Sequence, residues 1–287
     1  MKINSYAKIN LLLIVDFLNN NSSLHNIKSV VSQVNLYDIV DLNVIKDSKQ
    51  IKISCNNKNV PCDNNNTVYK VLESLQKYAN LDCGFDVHIE KNIPIMAGLG
   101  GGSSNAAYCL ILACKILGLN YSINDYMEIV SELGSDIPLF FYESSVYMEG
   151  TGNIIKPIVN KINPYILIVK EKNKGLSTKD VYKEFDNIHN ESKFDSNKLI
   201  MNLENGIYKE AIVDMHNDLE YPAIRLCPSI GEIKAKLLSL GFDFVMVSGS
   251  GSSVFALTQD KKIINNALSQ LDGKIYFVKS CQKVYWI

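Results

Sequence analysis

Short apolar runs rich in β-branched residues, each bounded by polar turns, predict strands over 9–15, 27–34, 39–45, 51–54 and 85–89. Between them Val68, Val71, Leu72 and Leu75 recur at helical spacing, which predicts a helix over 68–78. A stronger helix follows, with Ala106, Ala107, Leu110, Ile111, Ala113 and Cys114 on an apolar stripe that ends near Gly118. A further helix is expected over 123–133, stopped by Gly134. Later segments alternate: a strand over 165–169, helices over 177–185 and 231–240, and strands over 244–247 and 254–257 around a small-residue cluster. The pattern is that of an α+β protein with two layers and a β-rich first third.

Length adds a prior of about two domains, and the Pro157 to Asn163 stretch is the best boundary, giving lobes 1–157 and 158–287. Asparagine-rich stretches at 19–21 and 56–66 read as surface loops, and no internal repeat is visible. Hydrophobic residues make up 47% of the chain and charged ones 21%, as in an ordinary globular protein. With 29 Lys and Arg against 30 Asp and Glu, no broad basic surface for nucleic acid is expected. The apolar run at 9–15 is interrupted by Asn10 and ended by Asp16 without a cleavage site, so no signal peptide is expected. Apolar runs also fall short of the ~18 residues of a membrane span, and a reducing cytoplasm is the default compartment. The seven cysteines include no C-x-x-C pair, so neither zinc nor a disulfide framework is expected, and Cys109 and Cys114 read as buried free thiols.

Chemistry concentrates in Pro94 to Ala107, PIMAGLGGGSSNAA, where four glycines and two serines over 98–104 precede the strong helix. A loop nearly free of side chains lets backbone N–H groups close on an anion at the positive end of a helix dipole. Ser103 and Ser104 follow Gly102 where a Walker loop needs Lys and then Ser or Thr. Counting from Gly98 and Gly100, the dinucleotide fingerprint needs a glycine where Ser103 stands. A bare helix cap needs less than this loop offers, so a phosphate cradle is expected.

Three other patterns bear on chemistry. Asp136, in Gly134-Ser135-Asp136-Ile137-Pro138, either caps the next element or serves as a general base in phosphoryl transfer. Lys8 and Asn10 share one face of an apolar strand, and Lys8 is either an edge-strand lysine in solvent or the partner of Asp136. The cluster Ser248-Gly249-Ser250-Gly251-Ser252-Ser253 is either a hairpin turn or a second anion-binding loop, which would suit a phosphotransferase. His25, His88, His189 and His216 form no metal-binding spacing, and no strand-to-helix G-x-S-x-G elbow supports a hydrolase.

These stations, in this order, resemble the GHMP kinases: Ala7-Lys8-Ile9-Asn10 at the start, the Pro94 to Ala107 signature, Gly134 to Pro138, and the Ser248 to Ser252 loop. The resemblance spans nearly the whole chain and implies a two-lobed GHMP kinase fold. That fold has a β-rich N-terminal lobe containing a left-handed βαβ-type element, and an α/β C-terminal lobe on the acceptor side. It implies ATP and Mg²⁺ as cofactors, Asp136 as catalytic base and Lys8 beside it. Gly98, Leu99, Gly100, Gly101, Gly102, Ser103 and Ser104 would surround the ATP phosphates, with Asn66 near the adenine, Lys91 in the ATP site and Ser103 or Ser104 reaching the metal. On the acceptor side it implies Asn10, His25, Tyr182, Ser248, Gly249, Ser250 and Gly251. The nearest branch phosphorylates a small alcohol carrying a cytidine diphosphate group, with Tyr182 against the cytosine and His25 on its edge. One departure stands out: Ser23-Leu24-His25-Asn26 replaces a Gly-Tyr-His-Glu type segment, so Leu24 supplies no second stacking ring. Other branches act on homoserine or mevalonate, and a silent nucleotide-binding relative would have no reason to keep both Lys8 and Asp136. A monomer or a homodimer fits.

Overall fold

The computed structural model describes residues 1–18, 24–143, 145–188 and 194–284. The loop expected at 19–21, together with Ser23 and His189, lies outside them. In chain order the elements begin β1 (Lys2–Val15), β2 (Ile27–Ile45), β3 (Ile51–Cys55), α1 (Thr67–Tyr78), β4 (Gly84–Glu90), α2 (Gly101–Leu117) and α3 (Ile123–Val130). A 3-10 turn (Pro138–Phe141) leads to β5 (Ser145–Gly150), β6 (Ile154–Ile158), β7 (Tyr165–Glu171), α4 (Thr178–Ile188), α5 (Ser196–Asn205) and α6 (Tyr208–Asp214). The chain continues through β8 (His216–Asn217), α7 (Glu220–Leu226), α8 (Ser229–Ser239), β9 (Phe244–Val247), β10 (Val254–Thr258), α9 (Lys261–Gln270) and β11 (Tyr276–Cys281).

Among the described residues one sheet has the order β3-β4-β2-β1-β8, with β5 and β6 branching from β2, and the other the order β11-β7-β10-β9. By compactness the chain forms two units: Met1–Ala7, Leu36–Ile93 and Gly100–Glu143 in the first, Lys8–Asn35, Pro94–Leu99 and Ser144–Ile287 in the second. Strands β1 and β2 therefore contribute residues to both.

In the first unit β3 and β4 run parallel, with Ile51 opposite Phe85, and α1 is the crossover between them. Helix α1 buries Val68, Val71, Leu72 and Leu75, the predicted stripe. Burying such side chains stabilises by about 1.5–3 kcal/mol each. Helix α2 is more enclosed than a stripe requires: Ala106, Ala107, Tyr108, Cys109, Leu110, Leu112, Ala113 and Cys114 are all buried, as in a central helix. Its C-terminus is closed by Gly118 in the left-handed region, as expected. Helix α3 stops at Val130, short of the expected 133, because its end tightens into i to i+3 bonds from the amides of Ser131 and Leu133.

The two strands expected at 27–34 and 39–45 are one, and the reason is Asp38. Asn35 and Asp38 make 35–38 look like a turn, yet Leu36 and Asp38 alternate inward at 3% and 0% exposure. Asp38 is tolerated there because it is fully bonded: Oδ1 accepts from the amides of Asn92 and Ile93, and Oδ2 from Nζ of Lys91 at 2.6 Å.

In the second unit, β9 and β10 form an antiparallel hairpin around the Ser248–Ser253 cluster. Strands β7, β9 and β10 and helices α4, α7, α8 and α9 enclose a core that includes Leu167, Val169, Phe185, Ile230, Leu237, Val245, Val247, Val254 and Ala256. Pro157 lies within β6, opposite Val146 of β5, and among the described residues β6 is an edge strand, where proline is tolerated.

Candidate active site

In the second unit the two glycine-rich loops predicted separately are stitched together. The Ser248 hydroxyl donates to the carbonyl of Gly98 at 3.0 Å, and the Ser253 amide to the carbonyl of Ala97 at 3.2 Å. The Lys8 amide donates to the carbonyl of Leu99 at 3.0 Å, tying the same loop to β1. Gly249, at φ 54°, brings its backbone so close that a Cβ would lie 3.3 Å from both Nζ of Lys8 and Oδ1 of Asn10, and 3.2 Å from the Gly98 carbonyl oxygen. Lys8, Asn10, Gly98, Ser248 and Gly249 thus share one place.

Lys8 is not an edge lysine in solvent. It is 5% exposed, and its ammonium donates to Oδ1 of Asn10 at 2.6 Å. Asn10 in turn donates to the Ser29 hydroxyl, which donates to the carbonyl of Leu12. The relay fixes the Lys8 ammonium close to the backbone of Gly249. Ser250 is buried and shares a 3.0 Å hydrogen bond with Thr178 at the start of α4, and Ser252 donates to the carbonyl of Lys174.

Residues 217 and 220, which the sequence reading passed over, set the second loop. Nδ2 of Asn217 donates to the carbonyls of Val247 and Gly249 at 2.9 and 2.8 Å, and the Glu220 carboxylate accepts from the Val247 amide. Their partners lie some thirty residues away in sequence, so no local spacing marks them.

In the first unit Gly100, at φ 66°, is the N-cap of α2 and offers no side-chain cap. The amides of Gly101, Gly102 and Ser103 are therefore the orphan donors of a 17-residue helix, which is what an anion needs. The two serines differ. Ser103 is half-buried on that first turn, whereas Ser104 is fully buried and donates to the Tyr6 carbonyl at 2.6 Å, with Ser5 beside it. Ser104 fastens α2 to β1.

Lys91 and Asn66 are likewise engaged from within. The Lys91 ammonium binds Asp38 and the Ile93 carbonyl, and a Cβ on Gly101 would stand 2.8 Å from it. Burial pushes this lysine below its ordinary range, with Asp38 pulling the other way. Lys91 therefore supports the start of α2 from beneath. The Asn66 side chain caps α1, accepting from the Val68 amide and donating to the Pro61 carbonyl. Asp136 is not a cap: Ile137 occupies the N-cap position of the 3-10 turn, and Pro138 opens it. Asp136 is half-buried on the bend between Gly134 and that proline. Cys109 and Cys114 are free and buried, and burial raises both thiol pKa values, Cys114 to about 11.

Also in the second unit, His25 packs on Tyr182, ring centroids 4.9 Å apart, and meets Phe185 edge-on at 6.0 Å. Its Nε2 is 2.8 Å from Oδ1 of Asp186. The structure brings the two predicted base-reading residues together and adds two more from α4. The signal was present in the sequence, since Phe185 and Asp186 follow Tyr182 at i+3 and i+4 on one helical face. Leu24 is 58% exposed.

The comparisons agree with this geometry. The model of the GHMP kinase N-terminal domain matches residues 66–144, and that of the GHMP kinase C-terminal domain residues 200–276. A 4-diphosphocytidyl-2-C-methyl-D-erythritol kinase of Finegoldia magna is 36% identical over 278 residues, 97% of this chain and 98% of its own length. Among solved structures, a 4-(cytidine 5'-diphospho)-2C-methyl-D-erythritol kinase superposes with a TM-score of 0.80 at 24% identity, covering 99% of each chain. A homoserine kinase from Cytophaga hutchinsonii does so at 0.74 with 19% identity, covering 99% of this chain and 95% of that one. An uncapped helix behind a glycine loop, a buried lysine under a second small-residue loop, and near-full-length likeness to a kinase lead to one statement: this chain belongs to the GHMP kinase family.

Proposed function

We propose that the chain transfers the γ-phosphoryl group of ATP to the 2-hydroxyl of 4-diphosphocytidyl-2-C-methyl-D-erythritol, a step of non-mevalonate isoprenoid synthesis. The observation that carries this reading is the 36% identity, over 97% of the chain, to a kinase of that name. The cluster of His25, Tyr182, Phe185 and Asp186 supports it, because a flat base needs a ring to stack on and a polar edge to read. In this reading lobe 1–157 holds the donor and the catalytic groups, and lobe 158–287 serves the acceptor side.

The amides of Gly101, Gly102 and Ser103 hold the triphosphate, Asp136 accepts the proton of the attacking hydroxyl, and Lys8 offsets charge on the migrating phosphoryl group. Asn10 fixes Lys8, and the loop at Ser248, Gly249, Ser250 and Gly251 closes on the acceptor. In this reading Mg²⁺ arrives on ATP and keeps much of its water. The Ser103 hydroxyl on the first turn of α2 would help to hold that ion, which would supply positive charge against the charge developing on the transferred phosphoryl group. Small-molecule chemistry of this kind suits a cytoplasmic protein, as a monomer or a homodimer.

The decisive assay follows ADP release from ATP with sugar alcohols that do or do not carry a cytidyl group. Activity only with the cytidylated alcohol supports the reading. Activity with homoserine or mevalonate instead would overturn the acceptor, and no ADP release with any acceptor would overturn the kinase. Asp136→Ala should lower kcat by about 10²–10⁴-fold while ATP binding survives, and unchanged turnover would remove it as the base.

A further inference from the structure

Helix α4 is anchored by Val181 and Phe185, both buried, and Phe17 stacks on Phe185 with centroids 5.5 Å apart. That anchoring fixes the next residue, Asp186, against His25. The His25 side chain is 9% exposed, enclosed by Tyr182 and Phe185, and its Nε2 lies 2.8 Å from the Asp186 carboxylate. An ionised carboxylate only accepts hydrogen bonds, so Nε2 carries the proton. In the neutral ring Nδ1 is then an acceptor, and it has no hydrogen bond among the described residues.

An acceptor nitrogen distinguishes two bases that stacking cannot. Cytosine presents an amino group on the edge where uracil presents a carbonyl oxygen. Nδ1 pairs with the amine, while facing the carbonyl it would leave two acceptors buried against each other. We propose that Asp186 is a positioning residue for base selection: by holding the proton on Nε2 of His25 it makes Nδ1 an acceptor that admits cytosine and rejects uracil. This rests on the reading that the acceptor carries a cytidine diphosphate, and it adds a residue and a mechanism to that reading.

The test uses the full chain, as wild type, Asp186→Asn and Asp186→Glu. Nitrogen-15 NMR of the free enzyme, at a pH where the ring is neutral, reads which His25 nitrogen is protonated. CDP and UDP are then compared as competitors of the cytidylated alcohol. The wild type should hold the proton on Nε2 and favour CDP. In Asp186→Asn, whose amide presents either an oxygen or an NH₂ group, the tautomers should mix and the CDP over UDP preference should fall roughly 5–10-fold. KM for the acceptor should rise with kcat at saturation unchanged, and Asp186→Glu should recover part of the preference. A wild-type ring protonated on Nδ1, or an Asp186→Asn variant with the wild-type tautomer and preference, would overturn the proposal. If neither CDP nor UDP competes with the wild type, the cytidylate reading itself fails, and the tautomer measured without ligand separates that failure from a failure at Asp186.

Discussion

The Ser248 hydroxyl donates to the Gly98 carbonyl at 3.0 Å, and a Cβ on Gly98 would stand 1.9 Å from the Ser248 carbonyl oxygen. Only glycine allows this approach. Gly98 and Gly118 have nearly the same backbone angle, φ 70° and 69°, but a Cβ at Gly118 would meet nothing within 4 Å. Gly118→Ala should therefore cost only the left-handed backbone penalty, about 1–2 kcal/mol. Gly98→Ala should cost more and raise KM for both substrates, because the two loops must part. Thermal denaturation with steady-state kinetics on the pair checks this, and equal losses would mean that the loop contact is dispensable.

Gly102 gives the opposite case. It is exposed in the first turn of α2, and a Cβ there would meet nothing within 4 Å. Gly102→Ala should leave stability unchanged or raise it by about 0.5–1 kcal/mol, the ordinary helix preference for alanine. ATP affinity should nonetheless fall, because a triphosphate on the orphan amides approaches the backbone at that point. Titration of ATP against the denaturation midpoint separates the two effects. A variant that is more stable and binds ATP as the wild type does would place the phosphates elsewhere.

Lys91 carries a different expectation from that of a simple ATP ligand. Its side chain is 5% exposed and that of Asp38 0%, so Lys91→Met leaves a carboxylate buried with its cation gone. Breaking one side of such a pair costs about 3–5 kcal/mol. The loss should be seen in the urea midpoint without ATP, and the double variant Lys91→Met/Asp38→Leu should recover part of it. A Lys91→Met protein of wild-type stability that fails only in ATP binding would restore Lys91 as a direct ligand.

The same pair marks the limit of what the chain's own letters disclose. The α1 stripe, the α2 start and stop, and the β9–β10 hairpin follow from local spacing and glycine, so they were readable. Asp38 reads as a turn residue because its compensating partners, Lys91 and the amides of Asn92 and Ile93, lie more than fifty residues on. Asn217 escapes for the same reason, since its function is to bond the carbonyls of Val247 and Gly249. Lys8 and Asp136 could be named from the family pattern. That Ser104 is a fastener and Ser103 is not depends on which hydroxyl meets the Tyr6 carbonyl, a fact of packing.

Lys283 provides a prediction that depends on pH. It is 5% exposed, its ammonium donates to the carbonyls of Asn160 and Ile162, and burial lowers its pKa from the ordinary 10.5 to about 8. Between those two values the unfolded chain binds more protons at this site than the folded one. Stability therefore rises with pH across that window, and below it the cost of burying the charged form is constant. Lys283→Met keeps the apolar stem and removes the titration. The wild type should gain on the variant as pH rises through about 8 to about 10, read as the difference between their urea midpoints. A difference that stays flat through that range would mean that Lys283 keeps its charge in the folded protein, held by the carbonyls of Asn160 and Ile162.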